Sequence, residues 1–447
     1  MNSAPLNGEP TGDVEAIQQN SSSHNPAWAR GEKTSELPSG PSLPVYEFDY
    51  PDGGWTAWSQ VISGHCVNAM TWGYPATFGV YQLYYTETLG LPKAQVSWIG
   101  SIQIFITFSL CAVSGRLSDA GYPRQAILAG SLLATFGTFM TSLSETYWQI
   151  LLSQGFCTGI GLGLMFMPTI SVISSYFKKR RAIALTISAS GTGMGSTAFP
   201  ATVQYLTPKI GFPWAVRCSG FLALLLVVVM SGLLKPRLAP RKSGPLAEWA
   251  AFKEPTYVLF SCGCFFYFWA LYFGFFYINS YARDVIGFSS VSSVNLLLVT
   301  NAVGIPARPI VGWIADKYVG PVNTFIILVA SVSVLLYAWI AIKDTASMYA
   351  FSAIYGTAVS ASQGMFVSSL ASLTRDPRKM GTRFGMVCTI LAFATLAGPP
   401  TAGAIIDRAG GRYLYAQIWG GTVMVLCAVM IVAARIWGTG FKLLVKC

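Results

Sequence analysis

The sequence predicts an all-α membrane protein of twelve spanning helices in two pseudo-symmetric six-helix bundles. Three observations lead there. Of its 447 residues, 53% are hydrophobic and only 11% charged, about half the charge of a soluble chain. Beyond position 54 lie twelve apolar runs of about 20 residues, the length that crosses a hydrocarbon core as a helix. A Gly-x-x-x-Asp pattern closing the second run returns at the end of the eighth. This composition excludes an ordinary globular protein, a disordered scaffold and a collagen-like fibre.

The runs are 55–80, 95–115, 124–143, 147–174, 183–206, 213–234, 256–280, 290–312, 324–342, 347–372, 384–406 and 413–436. They are continuously apolar rather than alternating, so they read as helices that satisfy their own backbone groups in lipid. Charge falls at their ends. Eight of the 18 Asp+Glu precede position 53, and the other ten lie near ends of runs. With the N-terminus inside, 19 of the 29 Lys+Arg fall in inner loops and the C-terminal tail, and six in outer loops. That bias predicts both termini in the cytoplasm. The net charge of +11 is therefore an orientation signal, and no nucleic-acid partner is expected.

The predicted organisation is a disordered cytoplasmic N-tail (1–50), a first bundle (51–234), a cytoplasmic linker (235–255), a second bundle (256–436) and a C-tail (437–447). The tail is Ser-, Pro- and Glu-rich and lacks the apolar core of a signal peptide. Gly115-Arg116-Leu117-Ser118-Asp119 and Gly312-Trp313-Ile314-Ala315-Asp316 end equivalent spans of the two halves. Such six-plus-six symmetry marks secondary transporters that rock two bundles about a central site. Eight of nine Cys lie inside apolar runs and read as small hydrophobes. No metal or other cofactor is expected. Gly155, Gly159 and Gly163, with Gly191 and Gly195, form small-residue stripes for close helix packing. Pro75, Pro168, Pro200 and Pro399 each remove a helix bond and can bend a span around a cavity.

Several local patterns are recognisable in order: Pro51-Asp52-Gly53-Gly54-Trp55 with Trp58, Ser97-Trp98-Ile99-Gly100-Ser101, and Gly159-x-Gly161-x-Gly163 with Pro168. Tyr176-Phe177-Lys178-Lys179-Arg180-Arg181-Ala182, Ala307-Arg308-Pro309 and Gly398-Pro399-Pro400 follow. On these, over about 50–440, the chain resembles the major facilitator superfamily, and within it the fungal branch of the monocarboxylate-transporter-like family. The resemblance implies the major facilitator fold and a span-8 Arg, here Arg308, associated with substrate recognition. Two charges that proton-coupled members carry are replaced, by Ala76 after Pro75 and by Gly304 one turn before Arg308. Coupling to protons is left open.

Arg308 carries the site prediction. Counted from Asp316 at the helix end, it lies eight residues, about 12 Å, into the membrane. An intramembrane Arg is costly and faces a wet cavity or a partner. With no carboxylate inside the spans, it reads as an anion-binding group, the alternative being an Arg snorkelling toward Asp316. His65 is an ionisable residue near the middle of span 1, read as a relay or a packing group, with Asn68 and Trp72 extending its face. Asn301 and Tyr272 complete the expected substrate site. Phe265, Phe266, Tyr267, Trp269, Phe273 and Tyr277 offer further ring surface in span 7 for an amphipathic, ring-containing substrate. Asp119 and Asp316, with Arg116 and Lys317, are the expected gate, the acids pairing with Arg at inner helix ends.

The function expected is a secondary or facilitative transporter of an organic anion by alternating access. Alternatives are a carrier of a neutral or flavin-like substrate, or a non-transporting receptor or sensor on the same fold. An enzyme is not expected, since paired acids, His clusters and nucleotide-binding loops are missing from the sequence. The expected partners are a small-molecule substrate, with or without protons, and membrane lipids. A monomer in the plasma membrane is predicted.

Overall fold

The computed structural model describes residues 50–237, 247–374 and 379–440. The N-tail to position 49, much of the linker and the last seven residues, with the predictions made for them, lie outside the described residues.

Twelve helical segments follow the predicted runs: α1 (55–87), α2 (93–119), α3 (Pro123–Thr141), α4 (Tyr147–Tyr176), α5 (Arg181–Ile210) and α6 (Phe212–Leu233) come first. The second set is α7 (Pro255–Ile286), α8 (290–319), α9 (Pro321–Ala341), α10 (Thr345–Leu373), α11 (Met380–Arg408) and α12 (Leu414–Thr439). Eight are long and apolar enough to cross a membrane by length and composition. Of the other four, α1, α3, α5 and α10, the last two are the richest in Gly, Ser and Thr. For α5 and α10 the reason is position: they press against protein on several sides, so small polar residues replace lipid-facing Leu and Val.

In the first half α1 packs on α5 and α6, and α3 on α4 and α6. In the second, α7 packs on α11 and α12, and α9 on α10 and α12. The halves meet along α2 with α11 and α5 with α8. Glycine makes those seams possible. A Cβ on Gly115 would strike the Gly381 carbonyl, and one on Gly381 would strike the Gly115 carbonyl. Gly312 meets Thr186 in the same way across the α5–α8 seam. The predicted stripes are packing surfaces too. Gly159 and Gly163 face backbone of α2, while Gly191 and Gly195 face the carbonyls of His65 and Ala69 on α1.

Near α11, the end of the linker is tied down electrostatically. Glu248 accepts from Arg383 Nε (3.2 Å) and from Lys379 Nζ, and Arg383 forks onto both oxygens of Glu254. Burial alone would raise the Glu248 carboxyl, but the hydrogen bonds from Lys379 and Arg383 outweigh it and hold the group below its ordinary 4.5. A depressed carboxyl stabilises the fold above its unfolded value and loses that contribution as pH falls through the folded one. Glu248→Gln is therefore expected to cost about 1–2 kcal/mol at neutral pH. Its thermal midpoint should also fall less steeply than the wild type's below pH 4.5. Melting curves in detergent from pH 7 downward check both.

Candidate functional site: a cavity between the halves

The two halves enclose a cavity of about 630 Å³. Its α1 wall is irregular. A π-turn over Ala69–Gly73 runs into a 3-10 turn over Tyr74–Thr77, where Pro75 has no N–H to donate. Asn68, Trp72, Pro75 and Ala76 line this wall. Gln82, Thr86 and Glu87 of α1 and Ser280 and Arg283 of α7 line the cavity at the ends of those helices away from the basic loops. Its floor is a chain of rings: Trp72 lies 4.7 Å from Phe108 and 4.9 Å from Phe166, Phe108 is 5.5 Å from Phe268, and Phe268 is 5.2 Å from Phe366.

Arg308 sits among these rings, only 2% exposed. Its Nη2 donates to Gln363 Oε1 of α10 at 2.9 Å, whereas Nε and Nη1 have no protein partner. Small residues make room for the head group. A Cβ on Gly193 of α5 or on Gly304 of α8 would lie 3.3 Å from Nη1, and one on Gly364 would lie 3.6 Å from Cγ. Among the described residues no carboxylate pairs with it. Snorkelling to Asp316 is not what the geometry holds, because that acid is engaged elsewhere.

Arg308, Asn68, Trp72, Asn301 and Tyr272 all line the one cavity. His65 does not. Its Nδ1 lies 3.1 Å from the Ile187 carbonyl and 3.3 Å from Ser190 Oγ, which ties that nitrogen to the α1–α5 contact one turn below the wall. The rings predicted from span 7 also divide. Tyr272 lines the cavity beside Phe268 and Phe275. Trp269 and Phe273 instead turn to the far side of α7, against Trp419 and Trp339. Gln363 was visible in the sequence as a polar residue in a span, but nothing local tied it to Arg308.

At the basic end the cavity is shut by two matching contacts. Asp119, at the end of α2, accepts the Gly381 N–H (3.0 Å), the Thr382 N–H (2.7 Å) and the Thr382 hydroxyl (2.6 Å) at the start of α11. Asp316, on α8, accepts the N–H groups of Ala182 (3.1 Å) and Ile183 (2.8 Å) at the start of α5. Each acid thus caps a helix of the opposite half, where unpaired N–H groups and the helix dipole favour negative charge. These N–H groups engage both predicted gate acids, and Arg181 at the start of α5 adds its positive charge beside Asp316. Lys317 lies over the rings of Trp313 and Tyr318, at 4.8 and 5.0 Å. Arg116 lies one turn before Asp119, on the same helix end. Asp52 of the Pro-Asp-Gly-Gly-Trp motif makes a similar contact within the first half, to the loop between α4 and α5. In a left-handed conformation (φ 48°), it accepts the N–H groups of Lys178 (2.6 Å) and Lys179 (2.8 Å).

Two packed sets of helices around a ring-lined cavity, closed at one end by reciprocal caps, define a multi-pass membrane transporter. The chain belongs to the Major Facilitator Superfamily, whose profile matches residues 61–387. It is 41% identical over 389 residues to an MFS-type transporter of Gibberella zeae, covering 86% of this chain and 88% of that one. It is 33% identical to the aspyridones efflux protein apdF of Emericella nidulans (88% of this chain, 80% of that one). With the agnestins efflux protein AgnL12 of Paecilomyces divaricatus it shares 32% identity, over 90% and 92% of the two chains. The human organic anion transporter MFSD10 has the same fold, with a TM-score of 0.66 and 15% identity over 84% of this chain and 99% of that one. Such proteins move small molecules across membranes and are not enzymes.

Proposed function

We propose that this transporter carries a ring-bearing organic acid in its anionic form, as a monomer in the plasma membrane with the basic end facing the cytoplasm. In that orientation the cavity opens outward, and the Asp119 and Asp316 caps, flanked by Arg116 and Lys317, are the inner gate. Arg308 is the observation that carries the reading: a buried guanidinium that, among the described residues, has two unpartnered nitrogens and a neutral Gln363 as its one hydrogen-bond partner. Such a group calls for an acceptor carrying negative charge. Rings lining about 630 Å³ suit a substrate larger than lactate. The resemblance to the monocarboxylate-transporter-like branch supports an acid. Two relatives named for efflux support export as the direction.

The test is chemical. Purified protein is titrated with ring-bearing carboxylates and with their primary amides, and the thermal midpoint is followed, since a ligand of the native state raises it. Each acid is expected to bind at least about tenfold more tightly than its amide. Equal responses to acid and amide would defeat the proposal.

A further inference from the structure

We infer that this carrier works as an anion exchanger, returning across the membrane readily only when a second carboxylate occupies the site that the first has left. The inference rests on the anion-site reading above.

The charge balance around Arg308 carries it. From α10 the guanidinium meets Gln363, which is neutral, and Gly364. From α5 it meets Gly193, and from its own helix Gly304. Across on α7, the Tyr267 hydroxyl is 2.6 Å from Ser362 Oγ, which donates to the Val359 carbonyl, so the phenol is held neutral as the donor. Glu87, an exposed residue at the mouth, is the one acid lining the cavity among the described residues. Among the described residues no titratable acid stands beside Arg308 to cancel its charge.

Alternating access must close the cavity over this charge each time the carrier turns. With a carboxylate bound, a compact and nearly neutral ion pair passes through the closed state. Without one, a bare guanidinium does, stripped of water and with Nε and Nη1 lacking acceptors. Taking an unpaired charge out of water is far costlier than moving a paired one. The loaded carrier therefore turns quickly and the unloaded one slowly. One anion leaves as another enters, and the cycle is electroneutral.

The full chain, purified and placed in liposomes, tests this. Vesicles are loaded with radiolabelled p-aminohippurate, a poorly permeant ring-bearing carboxylate, and diluted into buffer with or without the unlabelled compound. Efflux is expected to be at least about tenfold faster into the anion-containing buffer, a barrier difference of about 1.4 kcal/mol. Gln363→Glu keeps the side-chain shape and places a carboxylate where the amide oxygen now lies 2.9 Å from Nη2. With the charge cancelled from within, stimulation by external anion should shrink to about twofold or less, and efflux into anion-free buffer should rise.

Equal wild-type rates in both buffers, with Arg308→Met inactive, would overturn the exchange mechanism and leave the anion site standing. Undiminished stimulation in Gln363→Glu would also overturn it. If Arg308→Met moved p-aminohippurate as fast as wild type, the anion-site reading itself would fall. Movement in neither buffer by wild type would likewise remove that reading, and exchange with it.

Discussion

Replacing Arg308 with Met is expected to lower anion transport by about 100-fold or more while leaving the protein at least as stable as before. The two effects have one origin. Removing a buried charge from its partner costs binding about 2–5 kcal/mol, and about 2.7 kcal/mol is already a factor of 100. For the fold alone the same guanidinium is a burden, since it is 2% exposed and two of its nitrogens have no acceptor. Met fills similar volume without desolvating a charge, and such replacements are often neutral or stabilising by about 1–4 kcal/mol. The lost partner is one hydrogen bond to Gln363, whose amide lines the cavity and can be hydrated there. Arg308→Lys restores charge but not the fork of donors, so it should recover only part of the transport. Liposome flux and thermal midpoints on the same preparations check the pair of effects. A variant that lost transport and stability together would mark Arg308 as structural.

How much of this was legible beforehand depended on whether the signal was local. Span positions were, because twenty apolar residues in a row have one inexpensive solution in lipid. All twelve runs became helices, with ends shifted by a few residues at most in the majority. Arg308 stood out for the same reason, as a charge where lipid-facing chains carry none. Direction around a helix was harder. His65, Asn68 and Trp72 share a face on paper, but α1 presses its His65 turn onto Gly191 of α5 and then passes through a π-turn, so only the latter two reach the cavity. In α7 rings occur on all sides, and sequence alone could not say that Trp269 meets Trp419 while Phe268 meets Phe108. Partners distant in sequence were not legible at all. Gln363 lies 55 residues from Arg308, and the Asp119 partners lie more than 260 residues away. The repeated Gly-x-x-x-Asp revealed two matched acids. It could not reveal that each grips the backbone of a helix start in the opposite half.

Those grips set the second large effect. Asp119→Asn is expected to open the basic end, shifting the balance between closed and open forms by about 2 kcal/mol, or about 30-fold. The carboxylate takes three hydrogen bonds from Gly381 and Thr382, all strengthened by its charge and by the dipole of α11. Asn keeps one acceptor oxygen, and its amide N–H groups face donors. Asp316→Asn should act in the same direction but less, because that acid takes two such bonds at the start of α5. Hydrogen exchange read by mass spectrometry reports on both ends directly. In Asp119→Asn, exchange should quicken in the segment holding Gly381 and Thr382. It should also quicken, to a smaller degree, around Ala182 and Ile183, which the substitution does not touch. That second change separates a gate from a pair of local caps, because the α2–α11 and α5–α8 seams close the same end of one cavity and open together. If the Ala182 segment kept its protection while the Gly381 segment lost it, each acid would be no more than a stop for its own helix.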